Sequence, residues 1–243
     1  MDSIVVIPTY NEKENIEAII RKVFSLSHPF HVLIVDDHSP DGTADIVKRL
    51  MQEFPDRLFI NERQGKMGLG TAYIHGFKYA LANEQYRYIF EMDADFSHNP
   101  EDLLRLRDVC ANGKADVAIG SRYVGGMVNV VNWPMGRVML SYYASKYVRL
   151  ITRIPIGDAT AGFVCYTRQV LQTINFNRIK FVGYAFQIEM KYTAHRLGFN
   201  LAEVPIVFTD RTLGQSKMSK GIIMEALIGV FQLRLRKYKR NNE

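Results

Sequence analysis

Residues 92–98 read MDADFSH and follow directly on the apolar run YRYIF at 86–90. In an extended segment alternate side chains share a face, so Asp93 and Asp95 would stand roughly 6–7 Å apart. At an effective dielectric of about 20, two such charges repel by about 2–3 kcal/mol. A hard divalent cation, Mg2+ or Mn2+, removes that repulsion, because it takes one or two carboxylates and leaves positions for diphosphate oxygens. The pair reads as a metal foot beneath a nucleotide. Asn99 and Pro100 already supply the cap and first turn of the next helix, so these acids are not needed there. Asp36 or Asp41 taken singly reads as a cap or a solvated loop acid.

Three acidic or polar segments of this kind recur at predicted strand ends: PTYNE (8–12), VDD (35–37) and MDAD (92–95). The strands behind them are short, apolar and β-branched: 3–8, 31–35, 57–60, 86–92 and 115–120. Between them, apolar residues recur at helical spacing, as in Ile16, Ile19, Ile20, Val23 and Phe24, and in Ile46, Val47, Leu50, Met51 and Phe54. Further helices are expected over about 70–82 and after Asn99. Alternating strands and helices with short loops demand right-handed crossovers, and hence a mainly parallel sheet with helices on both faces. Ligands of such sheets bind beyond the carboxyl ends of the strands, so the three segments should meet in one crevice.

Beyond about residue 123 the rhythm changes to a Gly-rich loop, a long helix (135–152), a short strand near GFVCY and a helix over 183–197. A last strand (202–208), a Ser/Gly/Lys loop and a terminal helix follow. No low-complexity linker interrupts the chain, which predicts one domain over 1–243, whose second half, from about 123, is elaborated for a second ligand.

Other nucleotide folds fit less well. Gly68-Leu69-Gly70-Thr71-Ala72-Tyr73 lacks the third glycine of a dinucleotide fingerprint and follows no first strand. The Walker pattern is absent. VLIVDD is similar to the acidic strand end of a response-regulator receiver, but the third strand ends in FINER and offers no phosphoacceptor acid.

The 243 residues are 47% hydrophobic and carry 31 basic against 25 acidic side chains, a net +6. That excess suits phosphates or an anionic surface and does not demand nucleic acid. It is concentrated in RLRKYKR at 234–240. Cys110 and Cys165 show neither CxxC spacing nor neighbouring His, which predicts a reducing compartment and no zinc site. MDSIVVIP leaves no room for a signal peptide, and no run approaches the roughly 18 apolar residues of a spanning helix. Membrane contact should be peripheral, through the helices at 135–152 and 222–240, whose apolar residues alternate with cations.

PTYNE, VDDHSPDGT, MDADFSHNP, GSRY, the Trp133–Arg137 spacing, GYAFQIEM, EVPI and DRTLGQSKMS together resemble the dolichol-phosphate (polyprenyl-phosphate) mannose synthases. These are inverting family 2 glycosyltransferases with the GT-A fold, a Rossmann-like α/β arrangement. The resemblance runs from about residue 3 to 225. It implies that Pro8, Tyr10, Glu12, Val35 and Asp37 line a nucleoside pocket. Asp93 and Asp95, with Ala94 between them, would hold the metal and the sugar diphosphate, and Asp95 would count among the catalytic residues with Arg122 and Arg137. Position 97 can be a further metal ligand in relatives; Ser97 is a weak one that a water can replace. Arg122, Arg137 and Ser141 would gather the acceptor phosphate, and Arg211 and Lys217 would neutralise the nucleotide diphosphate.

The activity implied is transfer of mannose from GDP-mannose to a polyprenyl monophosphate at the cytoplasmic face of a membrane. UDP-glucose or another sugar nucleotide is the alternative donor, and a non-catalytic lipid-binding scaffold is the alternative role. A lipid phosphate is already anionic, so its side of the site needs cations rather than a general base. His38 and His98 are read as loop-structural. Two departures stand out. Residues 160–166 read TAGFVCY where relatives often have TSGFRxY, and the membrane region that some relatives carry is missing, which leaves room for a membrane partner subunit.

Overall fold

The computed structural model describes residues 1–125, 127–183, 185–210 and 229–241. Strand β1 (Ser3–Thr9) leads into helix α1 (Ile16–Phe24), β2 (His31–Asp36), α2 (Thr43–Glu53), β3 (Leu58–Glu62), α3 (Leu69–Ala82), β4 (Tyr88–Glu91), α4 (Asp102–Ala111) and β5 (Val117–Ser121). Then come β6 (Val130–Val131), α5 (Met135–Thr152), β7 (Val164–Thr167), α6 (Arg168–Thr173), a 3-10 turn, α7 (Ala185–Arg196), β8 (Leu201–Pro205) and β9 (Phe208–Thr209). Residues 229–235 are helical. The Ser/Gly/Lys loop, with Arg211 and Lys217, and the first part of the expected terminal helix lie outside the described residues.

The main sheet has the order β3-β2-β1-β4-β7-β5-β8. All its pairings are parallel except those of β7, which runs antiparallel to both β4 and β5. Strands buried on both faces explain the unbroken runs IVVI and VLIV, in which every residue is fully buried. Two cores result. One lies between the sheet and α3, α6 and α7, centred on Tyr73, Phe77, Tyr166 and Phe186; the other joins α1, α2 and α4 to the opposite face. The α1 residues Ile16, Ile19, Ile20 and Val23 are all buried there, as their spacing requires.

Several boundaries shift. β4 stops at Glu91, so Asp93 and Asp95 lie in the bend that follows, and the alternation of an extended strand does not set their separation. Asn99 accepts from the Glu101 amide at 3.1 Å in an Asx turn, and α4 begins at Asp102, two residues beyond the expected first turn. The expected strand over 202–208 is divided. β8 ends at Pro205, which cannot donate to a ladder, and β9 leaves the main sheet to pair with β6, an element that periodicity did not show.

Helix α3 rests on β1 through Gly76, where a Cβ would stand 2.3 Å from Val6 Cγ1. Gly76→Ala should therefore lower stability by about 1–3 kcal/mol despite the higher helix propensity of alanine, as read by urea midpoints. His31 is buried, with Nδ1 2.7 Å from the Tyr86 hydroxyl, and burial lowers its pKa. A lowered folded-state pKa contributes stability that is present above the unfolded value and lost as pH falls through the folded one. The Tm advantage of the native chain over His31→Gln should therefore shrink below about pH 6.5; an advantage independent of pH would contradict this.

Candidate active site

The carboxyl ends of β1, β2 and β4 lie side by side. Asp36 is fully buried and committed to structure: Thr9 Oγ1 donates to it at 2.7 Å, and Ser39 gives it an amide at 2.8 Å and a hydroxyl at 2.6 Å. Asp41 accepts the Thr43 and Lys13 amides at the start of α2. His38 is exposed and adopts a left-handed conformation in this loop.

Asp37 is different. Its amide donates to Thr9 O, and its carboxylate accepts Arg63 Nε at 2.6 Å; both side chains are below a tenth exposed. Arg63 in turn donates to Thr71 Oγ1 at 2.8 Å and approaches Gly68 O, which ties the end of β2 to the first turn of α3. Lys66, in the same loop, places Nζ 5.0 Å from the centroid of the Tyr10 ring. Pro8, Tyr10 and Glu12 are partly exposed at the end of β1, while Val35 is buried beside them. Arg63 and Lys66 were not singled out from the sequence; the only signal for them is a pair of cations flanking a glycine-rich turn after β3.

In the bend after β4, Asp95 is buried and accepts the Ser97 amide at 3.1 Å, while Asp93 receives the Tyr73 hydroxyl at 3.3 Å. Ala94 is buried between them, and Phe96 takes a left-handed φ of 58°. Ser97 Oγ is shielded and has no hydrogen-bond partner, an oxygen left over beside the acids. Among the described residues no three His, Cys, Asp or Glu side chains gather. The chain thus offers two carboxylates and one orphaned hydroxyl, a donor set that fits a hard dication whose other ligands come from phosphate or water.

Beneath the pair, burial pushes the Glu91 carboxyl up to about 8, opposed by Lys191. Burial likewise pushes the Lys191 ammonium down to about 8, opposed by Glu91. Lys191 Nζ donates to Ala161 O at 2.6 Å. His98 stacks on Phe163 at 4.9 Å and meets Phe208 edge-on at 5.4 Å. Burial lowers its pKa to about 4, with Asp95, Arg122 and Asp158 all within electrostatic reach. This ring sits where the acid pair meets a second group of charges.

Arg122, directly after β5, forms that group with Asp158. Its Nε and Nη2 reach the two carboxylate oxygens at 2.7 Å each, its own amide donates at 3.1 Å, and Nη2 also reaches Thr160 Oγ1 at 2.8 Å. Both residues are buried. Burial alone would raise the Asp158 pKa, yet the charge and hydrogen bonds of Arg122 outweigh it and hold the carboxyl below its ordinary value. Glu203 on β8 fixes the loop from the other side, accepting the Gly157 and Asp158 amides at 2.7 and 2.9 Å. Only glycine fits at 157, where a Cβ would stand 2.7 Å from Tyr123 O. This explains the acid of EVPI, to which no role attached in the sequence.

Arg137, in the first turn of α5, pairs with Asp210 at 2.7 Å and lies over the Trp133 ring, with Cζ 4.2 Å from its centroid. Arg122 Cζ stands 5.5 Å from the same ring. Ser141 accepts the Tyr123 hydroxyl at 2.7 Å. Arg122, Arg137 and Ser141 are therefore gathered around the β5 end and α5, and Arg122 is held in a buried fork rather than on an open loop.

The chain matches the model of "Glycosyl transferase family 2" over residues 4–174. It is 46% identical to the polyprenol monophosphomannose synthase of Mycolicibacterium smegmatis, covering 96% of this chain and 87% of that one. It is 42% identical to the undecaprenyl-phosphate mannosyltransferase of Micrococcus luteus, over 95% and 93%. Among solved structures, glucosyl-3-phosphoglycerate synthase of Mycobacterium tuberculosis, in complex with Mn2+, UDP and glucosyl-3-phosphoglycerate, superposes with a TM-score of 0.69 at 17% identity, covering 96% of this chain and 79% of that one. A mannosyltransferase of Pyrobaculum calidifontis with GDP-Man and Mn2+ superposes with a TM-score of 0.62 at 19% identity, over 99% and 66%. The fold is GT-A, and the chain belongs to glycosyl transferase family 2.

Proposed function

We propose that this chain moves mannose from GDP-mannose to a polyprenyl monophosphate with inversion, using Mg2+ or Mn2+. The observation that carries the reading is that the acidic bend and the arginine share a neighbour: His98 of the β4 bend meets the Phe208 ring at 5.4 Å, and Arg122 Cζ stands 5.6 Å from the same ring. The relatives of similar length bear the names of enzymes with this donor sugar and this kind of acceptor.

Each part of the site then has a task. Tyr10, Glu12, Val35 and Asp37 receive the nucleoside, with Arg63 holding the Asp37 carboxylate in place. Asp93 and Asp95 hold the dication, which when bound screens the diphosphate charge that grows as the sugar departs. Arg211 and Lys217 fall outside the described residues, and their place at the diphosphate rests on the resemblance. Arg137, Arg122 and Ser141 bring the acceptor phosphate to the anomeric carbon. Arg137 suits this because its planar fork matches phosphate oxygens, while Arg122, its own fork engaged by Asp158, lends its charge. The phosphate attacks as an anion and leaves no proton to remove.

Membrane attachment belongs to the same reading. Among the described residues no helix is long and apolar enough to cross a bilayer. Helix α5 instead exposes Met135, Met139, Tyr143 and Leu150 along one side, with Lys146, Arg149 and Arg153 in between. Phe231 and Leu235 are exposed near the cationic end of the chain. An apolar stripe rimmed by cations lies in the headgroup region of an anionic leaflet, which suits a peripheral protein on the cytoplasmic face.

Thermal stabilisation tests the donor: GDP with Mn2+ should raise Tm more than UDP with Mn2+ or GDP with EDTA. A larger shift with UDP would transfer the reading to a UDP-sugar, and no shift with either nucleotide would leave the scaffold role. Replacing Asp93 and Asp95 together by Asn should abolish the metal-dependent part of the shift and lower turnover at least 100-fold. Arg137→Ala should leave the GDP shift intact and raise the KM for a lipid phosphate about tenfold, since a charged hydrogen bond is worth about 1.5–3 kcal/mol. Glu203→Gln sets an amide N–H against backbone N–H groups; it should cost about 1–3 kcal/mol of stability and raise the acceptor KM more than the donor KM.

A further inference from the structure

Trp133 is the only tryptophan in the chain. It follows β6, whose pairing with β9 brings Phe208 against the indole, with centroids 5.3 Å apart at 68°. The same ring carries Arg137 at 4.2 Å and Arg122 at 5.5 Å. Two like charges are thus held to one aromatic body, each tied to its own carboxylate, Asp158 or Asp210. A guanidinium over an indole gains about 0.5–2 kcal/mol, so the ring adds to the carboxylates in holding both cations near one place. One atom of this arrangement has no protein partner. Trp133 Nε1 is shielded from solvent and makes no hydrogen bond. A buried N–H left unpaired costs about 1–3 kcal/mol, and such groups in native folds point to a water or a ligand. The neighbouring Arg137 side chain remains 32% exposed, which leaves an approach from solvent on that side.

We propose that Trp133 is an acceptor-binding residue: its indole N–H donates to an oxygen of the anionic phosphate, while its ring spaces Arg122 and Arg137 around that group. The inference rests on the acceptor reading above and adds a donor to it. An uncharged N–H on the ring that both cations approach contributes direction, since a donor of fixed geometry orients one phosphate oxygen where charge alone would let the group rotate. A smaller apolar residue in its place would remove the surface that both arginines share, although Asp158 and Asp210 would still pair with them.

Because Trp133 is alone, the emission of the whole protein reports on this site. The native protein is titrated with farnesyl phosphate, with farnesol and with inorganic phosphate. Farnesyl phosphate should change the emission saturably, inorganic phosphate should do so at far higher concentration, and farnesol should not. An equal response to farnesol would place the ring against the hydrocarbon and overturn the proposal. In steady-state kinetics Trp133→Phe, which keeps a ring but loses the N–H, should raise the KM for farnesyl phosphate about tenfold, with the donor KM within twofold. Trp133→Ala should raise it further. If Trp133→Phe lowers Tm but leaves the acceptor KM unchanged while Arg137→Ala raises it, Trp133 is structural and the proposal fails, with the acceptor reading intact. If Arg137→Ala is equally silent, the acceptor reading itself falls. Should Trp133→Phe not fold, the three native titrations decide alone.

Discussion

A charge taken out of water must be matched locally, and that constraint shapes this molecule more than any other. Moving a lone carboxylate or guanidinium into the interior costs several kcal/mol even after relaxation. The chain buries Asp37, Arg63, Asp158, Arg122 and Glu189 all the same, and each meets an opposite charge, Glu189 that of the half-buried Arg236. Burial of this kind is a weak source of stability and a strong source of geometry, because one partner cannot move without exposing the other.

The consequences spread from the pairs to the backbone. The Arg63–Asp37 pair binds the end of β2 to the start of α3, so the loop that bears Lys66 is held over Tyr10. Around Arg122, Asp158 is set by Glu203 through two backbone amides, and Glu203 stands on β8 beside the β5 end from which Arg122 departs. A closed circuit of side chain and backbone therefore fixes one guanidinium. Glu189 repeats the device at the other end of the molecule. It accepts the Lys180 and Phe181 amides and pairs with Arg236, docking the cationic C-terminal segment against the start of α7. The acids of EVPI and of QIEM thus serve one physical purpose, although nothing in their local sequence says so.

The β4 bend carries a different kind of group. Asp93 accepts the Tyr73 hydroxyl and Asp95 the Ser97 amide, while Ser97 Oγ is shielded and makes no hydrogen bond. A shielded hydroxyl beside two carboxylates is the kind of group that a bound water or ligand satisfies. Strain in the left-handed Phe96 belongs to the same picture.

The order of strands and helices as far as β5, the crevice at the carboxyl ends and the pair of acids beyond β4 were legible from the residues alone, because apolar period and turn residues act over a few positions at a time. So were α5 over 135–152 and Asp41 as a loop acid before α2, whereas Asp36, read as a cap or a solvated loop acid, is buried at the end of β2. Tertiary structure alone decided which charges meet. Asp37 finds Arg63 across 26 positions, Arg122 finds Asp158 across 36, and Arg137 finds Asp210 across 73. It also decided that β7 inserts antiparallel, that β9 leaves the sheet to pair with β6, and that one indole comes to lie beneath two arginines. Periodicity records only how each element faces its neighbours. The partner of a buried charge is chosen when distant elements close on one another, by the cost of leaving it unmatched.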